Sequence, residues 1–172
     1  RRPVNALNHD LLRLIQEGLD LCETRADAQA IIIDSNIEGI FSAGADLREL
    51  EKLGLEQLKE FLQMGQETFN RIEDSPKPII AAIKGPAMGG GCELAMACDF
   101  RVAGYSAKFG QPEINLGLVP SWGGTKRLPN LVGRTKAVDL LLSGASLSAE
   151  AALNIGLVNR VAADEEVFAD LL

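Results

Sequence analysis

Gly85-Pro86-Ala87-Met88-Gly89-Gly90-Gly91-Cys92-Glu93-Leu94-Ala95-Met96-Ala97-Cys98-Asp99 is the stretch that governs the reading of this chain. It follows residues 79–83, a short apolar run that reads as a buried strand. Gly85-Pro86 turns the chain, and Gly89-Gly90-Gly91 opens a helix that continues through Ala97. Glycines at a helix start leave backbone N–H groups open to a ligand atom. Those first N–H groups have no partner inside the helix and lie at its positive dipole end. An oxyanion or a phosphate oxygen would be held there. Glu93 falls within the first turn, so its carboxyl lies near whatever the amides bind. A glycine triplet by itself serves tight helix–strand packing equally well, with Glu93 an ordinary first-turn acid. A Walker loop is excluded, because no Gly-Lys-Ser/Thr follows.

Outward from this stretch, strands and helices alternate. Residues 6–21 place Leu7, Leu11, Leu14, Ile15 and Leu19 at helical spacing. Residues 28–34 hold Ile31-Ile32-Ile33, a buried strand. A short helix is expected over 47–53, capped by Asp46. A longer one over 55–72 stops before Asp74-Ser75-Pro76-Lys77-Pro78. Downstream, strands are expected at 99–103, 107–109 and 156–161, and a loop at 114–120. Helices are expected at 123–131 with a break near Pro129, at 135–142, at 148–154, and in the last residues, where Val167, Phe168, Leu171 and Leu172 recur at helical spacing. The pattern is that of one α/β domain over residues 1–172, with no linker and no fixed repeat length.

Two further small-residue segments carry chemistry. Ser42-Ala43-Gly44-Ala45-Asp46-Leu47 can present backbone N–H groups, so two loops could supply the two donors of an oxyanion hole. Taken alone it is a helix-cap loop. Phe109-Gly110-Gln111-Pro112-Glu113 sets a second carboxyl behind a stiffening proline, and taken alone it is a surface turn. Two carboxyls beside a backbone oxyanion site suit water addition or proton shuttling next to a carbonyl.

Composition removes other classes. The 172 residues are 47% hydrophobic and 24% charged, as in a globular domain with a real core. No run approaches the ~18 apolar residues of a membrane span, and the N-terminus lacks a secretory layout. A net charge of −7 without a basic cluster argues against nucleic acid as the partner. Cys22, Cys92 and Cys98 fit no metal spacing and read as reduced core side chains. His9, the sole histidine, opens an amphipathic segment and reads as a surface or helix-end residue rather than a catalytic base.

The segment from Gly85 to Asp99 closely resembles the signature of the enoyl-CoA hydratase/isomerase (crotonase) superfamily. Phe41-Ser42-Ala43-Gly44-Ala45-Asp46-Leu47 resembles that family's other oxyanion loop. Phe109-Gly110-Gln111-Pro112-Glu113, Gly123-Gly124-Thr125-Lys126-Arg127-Leu128, residues 151–159 and Arg2-Pro3-Val4-Asn5-Ala6-Leu7 resemble its other motifs, in the family's order. The resemblance implies a spiral of repeated ββα units and coenzyme A thioester substrates of fatty acid metabolism, as in β-oxidation. It implies that the N–H groups of Ala45 and Gly90 hold the thioester oxygen, that Glu93 takes a proton from attacking water, and that Glu113 protonates the α-carbon. Ala43, Ala45, Asp46, Leu47, Arg48, Gly90, Pro112 and Trp122 would contact substrate. No metal or other cofactor is implied, since hydration changes no net oxidation level and coenzyme A belongs to the substrate. A homotrimer or dimer of trimers of the full-length parent, in the cytoplasm or mitochondrial matrix, is the implied setting, with no membrane partner; the 172-residue piece alone is expected to assemble poorly.

Two features depart from the family pattern. Relative to it the chain looks cut at both ends, lacking an early β-hairpin region and the C-terminal helices of oligomerisation. Val119-Pro120-Ser121-Trp122-Gly123-Gly124 carries Ser and Trp where many hydratases have small residues. Trp122 would narrow the acyl pocket or pack at its wall. Having both acids favours a hydratase over the alternatives, a 3-enoyl-CoA/2-enoyl-CoA isomerase or a non-catalytic acyl-CoA-binding fragment.

Overall fold

Short runs of alanine and isoleucine build the main sheet. The computed structural model describes residues 3–169. Strands β1 (Ile31–Ile33), β2 (Ile79–Ile83), β4 (Phe100–Gly104) and β7 (Arg160–Ala162) form a parallel sheet in the order β1-β2-β4-β7. Ile79, Ala81, Ala82 and Ile83 of β2 are fully buried, as expected of a parallel strand covered on both faces. A second sheet, β3 (Ala87–Met88), β5 (Lys108–Gly110) and β6 (Ser146–Ser148), has β3 parallel to β5 and β5 antiparallel to β6.

The chain climbs as a spiral, giving each sheet one strand per turn. β2, β3 and α4 (Gly90–Ala97) make one turn; β4, β5 and the helices after them make the next. In the turn before, β1 leads to an isolated bridge of Ser42 to Ala87, and on to α2 (Leu47–Leu50) and α3 (Leu55–Glu73). Ala87 in turn pairs with Phe109. Segments dozens of residues apart thus meet because successive turns stack. This is the mixed α/β, ββα-spiral architecture that the motifs implied.

Every residue of α4 is buried, so the glycine-rich helix runs through the middle of the molecule. α3 covers it with Phe61, Gly65, Thr68, Phe69 and Ile72, one helical face. The remaining helices are α1 (His9–Thr24), α5 (Gly124–Val132), α6 (Arg134–Ser143) and α7 (Ala149–Asn154).

Several boundaries differ from the sequence reading. α1 starts at His9, where Asn8 Oδ1 accepts the Leu11 N–H at 3.0 Å. Residues 6–7 are withheld from it because Leu7 pairs with the loop at Ala45. The expected strand at 156–161 begins only at Arg160. Gly156 takes φ 79° and Leu157 N–H bonds back to Ala152 O at 2.8 Å, so these residues close α7 instead. Pro112–Leu116 is a 3₁₀ helix rather than loop, stopped by Gly117 at φ 69°. Pro129 does not break α5. It costs one rung to the carbonyl of Thr125, an exposed residue that water can serve. β3 and β6 escaped the sequence reading, being two or three residues long and defined by their neighbours. Residues 164–168 form turns rather than a helix, and Val167 is fully buried against Ala82 and Val102. Leu171 and Leu172 lie outside the described residues.

Candidate active site

The first loop is shaped by Gly44, at φ 86°, a conformation glycine adopts without strain. Leu7 N–H bonds to Gly44 O and Asp46 N–H to Leu7 O, each at 2.8 Å. Between these two bonds the Ala45 N–H is left over. The Asp46 carboxylate accepts the Arg48 N–H at 3.1 Å, the expected cap of α2. The second loop is locked to the first by Met88 N–H to Ser42 O, at 2.9 Å. Gly89, at φ 52°, then delivers Gly90 as the first residue of α4. Among the described residues neither the Ala45 nor the Gly90 N–H has a hydrogen-bond acceptor. They face one small space. A Cβ on Gly44 would stand 2.8 Å from Gly90 N, and one on Gly90 3.4 Å from Ala45 N. Two unpaired N–H groups so placed can polarise a carbonyl oxygen.

Glu93, only 2% exposed, points from α4 to the start of α5. Its Oε1 accepts N–H bonds from Trp122 at 2.9 Å and Gly124 at 2.7 Å. Burial pushes its carboxyl up to about 7; the Gly124 and Trp122 N–H groups and Arg127 oppose the rise, while the nearby Glu113 charge adds to it. Glu113 sits at the second position of the 3₁₀ helix. Its Oε1 would be 2.8 Å from a Cβ on Gly89, so the carboxyl lies against the glycine-rich turn. With its amide turned to donate, Gln111 reaches both Glu113 oxygens at 3.1 Å. Burial raises the Glu113 carboxyl above its ordinary value, opposed by a backbone hydrogen bond. Two carboxyls that both resist ionisation can hold and pass a proton near neutral pH.

A cavity of about 530 Å³ collects these groups. Glu93, Glu113, Ala45, Gly90, Ala43, Asp46, Leu47, Arg48, Pro112 and Trp122 all line it. Sequence reasoning missed its apolar wall: Val4, Leu50, Leu58, Phe61, Leu62, Leu116, Leu118 and Val119. These read only as faces of amphipathic segments. It also missed Arg127, 3% exposed, which donates to Trp122 O at 2.7 Å, Asn70 Oδ1 at 2.8 Å and Glu73 Oε2 at 2.8 Å. Arg127 thus ties α3 to the turn whose N–H groups hold Glu93. Its signal was a charged residue inside the Gly123-to-Leu128 motif. His9 opens α1, as expected. Its Nδ1 meets the Glu49 carboxylate and its ring lies 4.6 Å from Phe61. Cys92 and Cys98 are buried, and Cys22 is half-buried. Among the described residues no cluster of three His, Cys, Asp or Glu side chains could hold a metal ion, and no helix is long and apolar enough to cross a membrane.

A spiral of this kind with two backbone donors and two glutamates defines a class, and the comparisons agree on it: over residues 1–172 the chain matches the family Enoyl-CoA hydratase/isomerase, and it belongs to that family. Among its relatives, a probable enoyl-CoA hydratase of Bacillus subtilis is 50% identical over 165 residues, covering 95% of this chain and 63% of the relative. The crotonyl-CoA hydratase of Syntrophomonas wolfei is 44% identical over 170 residues, 99% of this chain and 65% of the relative. The crystal structure of an enoyl-CoA hydratase from Bacillus anthracis superposes with a TM-score of 0.93 at 38% identity, covering 96% of this chain and 64% of that one. The chain thus spans a little under two thirds of the length of these relatives.

Proposed function

We propose that the protein is an enoyl-CoA hydratase, a hydro-lyase adding water reversibly to a 2-enoyl-CoA thioester to give the 3-hydroxyacyl-CoA. The observation that carries this reading is the convergence of two carboxyls, Glu93 and Glu113, on a cavity that also holds the unpaired Ala45 and Gly90 N–H groups. The thioester oxygen binds between those N–H groups. Water bonds through oxygen to the β-carbon and gives its proton to Glu93. The alkene electron pair moves into an enolate, whose charge settles on the held oxygen, where one such donor is typically worth ~10²–10³ in rate. Glu113 then gives its proton to the α-carbon. The pair ends with its proton exchanged and returns to its starting state through solvent. No oxidation level changes, so the reading needs no cofactor beyond the coenzyme A of the substrate. The hydratase names of the similar proteins support it.

Crotonyl-CoA tests the reading. Hydration removes the conjugated enoyl absorbance, whereas an isomerase creates that band from a 3-enoyl-CoA and a non-catalytic binder does neither. Retention of the crotonyl band overturns the proposal. We further propose that the protein works as a homotrimer or dimer of trimers, in cytoplasm or mitochondrial matrix.

A further inference from the structure

Trp122 lines the catalytic cavity. Its indole bridges α3 and α4: a Cβ on Gly65 would lie 2.1 Å from Nε1, and a Cβ on Gly90 would lie 2.5 Å from Cζ3. Only glycine at both positions lets the ring lie flat between the helices. Phe61 and Phe69 hold it edge-on, with centroids at 5.3 and 5.5 Å. The ring is 2% exposed, and its Nε1 donor is buried without an acceptor.

The same ring also lines a second cavity, of about 440 Å³. Leu62, Val119, Ser121 and Trp122 line both cavities. Pro120 and Gly123 complete the second one, and Gln66, Asn70 and Thr125 give it polar side chains. Gln66 Nε2 donates to Ser121 O at 2.8 Å, pinning the loop half of the partition to α3.

We infer that Trp122 and Leu62 form a partition that ends the acyl pocket and restricts this protein to short-chain acyl-CoA thioesters. This rests on the proposed acyl-CoA reading of the cavity. A tail longer than the space before the indole must either displace the ring from its two glycines or turn back to the mouth. With the ring removed, the two cavities join and a long tail runs through into the second. Each methylene then buried is worth about fourfold in affinity.

Binding separates this inference from the proposed reaction, because it needs no turnover. Calorimetry on the full chain would compare butyryl-CoA with dodecanoyl-CoA, alongside crotonyl-CoA hydration. The native protein is expected to bind butyryl-CoA at least about tenfold more tightly. Trp122→Ala should erase or invert that preference, and Trp122→Phe should keep it. Leu62→Ala, on a half-buried position, should move the ratio in the same direction by less and decides the matter should circular dichroism show Trp122→Ala unfolded. Equal binding of both ligands by the native protein overturns the partition, as does an unchanged ratio in a folded Trp122→Ala or in Leu62→Ala. Chain-length selectivity without hydration overturns the reaction and leaves the partition standing. Failure to bind either ligand overturns both.

Discussion

Glu93 and Glu113 are both acids, yet their surroundings differ. Glu93 is fixed by two N–H bonds from the turn before α5, while Glu113 lies against Gly89 and takes the amide of Gln111, two residues before it. Glu93→Gln and Glu113→Gln should each lower crotonyl-CoA hydration by ~10²–10⁴, with near-native circular dichroism, because a proton-transfer group goes while side-chain volume stays. Steady-state kinetics on purified variants checks this. The two sites also feel each other. Glu113→Gln removes a charge that helps raise Glu93, so the Glu93 carboxyl should titrate below about 7. Burial, the largest cause, remains and keeps it above its ordinary value. Carbon-13 NMR of the carboxyl reads the shift directly. The same raised value bears on stability. A carboxyl that holds its proton more tightly when folded contributes fully below its unfolded value and loses that contribution as pH rises through about 7.

At the scale of elements, the site depends on loops that only glycine permits and on an arginine that joins two helices. Gly44→Ala adds a Cβ 2.8 Å from both Gly90 N and Met88 O, at a φ of 86°. Turnover should fall by ~10²–10³ through the lost donor geometry, and stability by at least about 1–2 kcal/mol, the cost of the left-handed residue, with the backbone clash adding to it. Paired kinetic and urea-unfolding measurements separate the two effects. Arg127→Met leaves the Trp122 carbonyl without its buried donor and cuts α3 from the α5 turn. A loss of about 2 kcal/mol or more is expected in urea unfolding, together with weaker hydration, because the N–H groups on Glu93 belong to that turn.

Across the whole molecule, apolar side chains stay uncovered near the cavity mouth: Leu47, Leu116, Leu118 and Val119 are 44%, 56%, 47% and 65% exposed. Exposed apolar side chains of this kind favour association. Light scattering should therefore report self-association, and a stable monomer at micromolar concentration would count against it. The spiral explains how so small a domain gathers a site. Ser42, Ala87 and Phe109 lie side by side in successive turns, so the loops that follow each of them open onto one cavity.

Much of this was legible in the chain itself. The glycine run, the Asp46 cap, the α3 stripe and the two glutamates are local patterns, and local patterns follow from helix geometry, capping and the freedom of glycine. What the residues could not declare alone is which of them meet. β3 and β6 exist only because neighbours pair with them, and Leu7 leaves its helix because the Ala45 loop binds it. Arg127 becomes a brace only when α3 passes beside the α5 turn. Trp122 becomes a wall only when Gly65 and Gly90 face each other across it. These contacts join positions far apart in sequence, and their free energy exists only once the turns of the spiral stack. Tertiary packing therefore chose between readings that local propensity left equal.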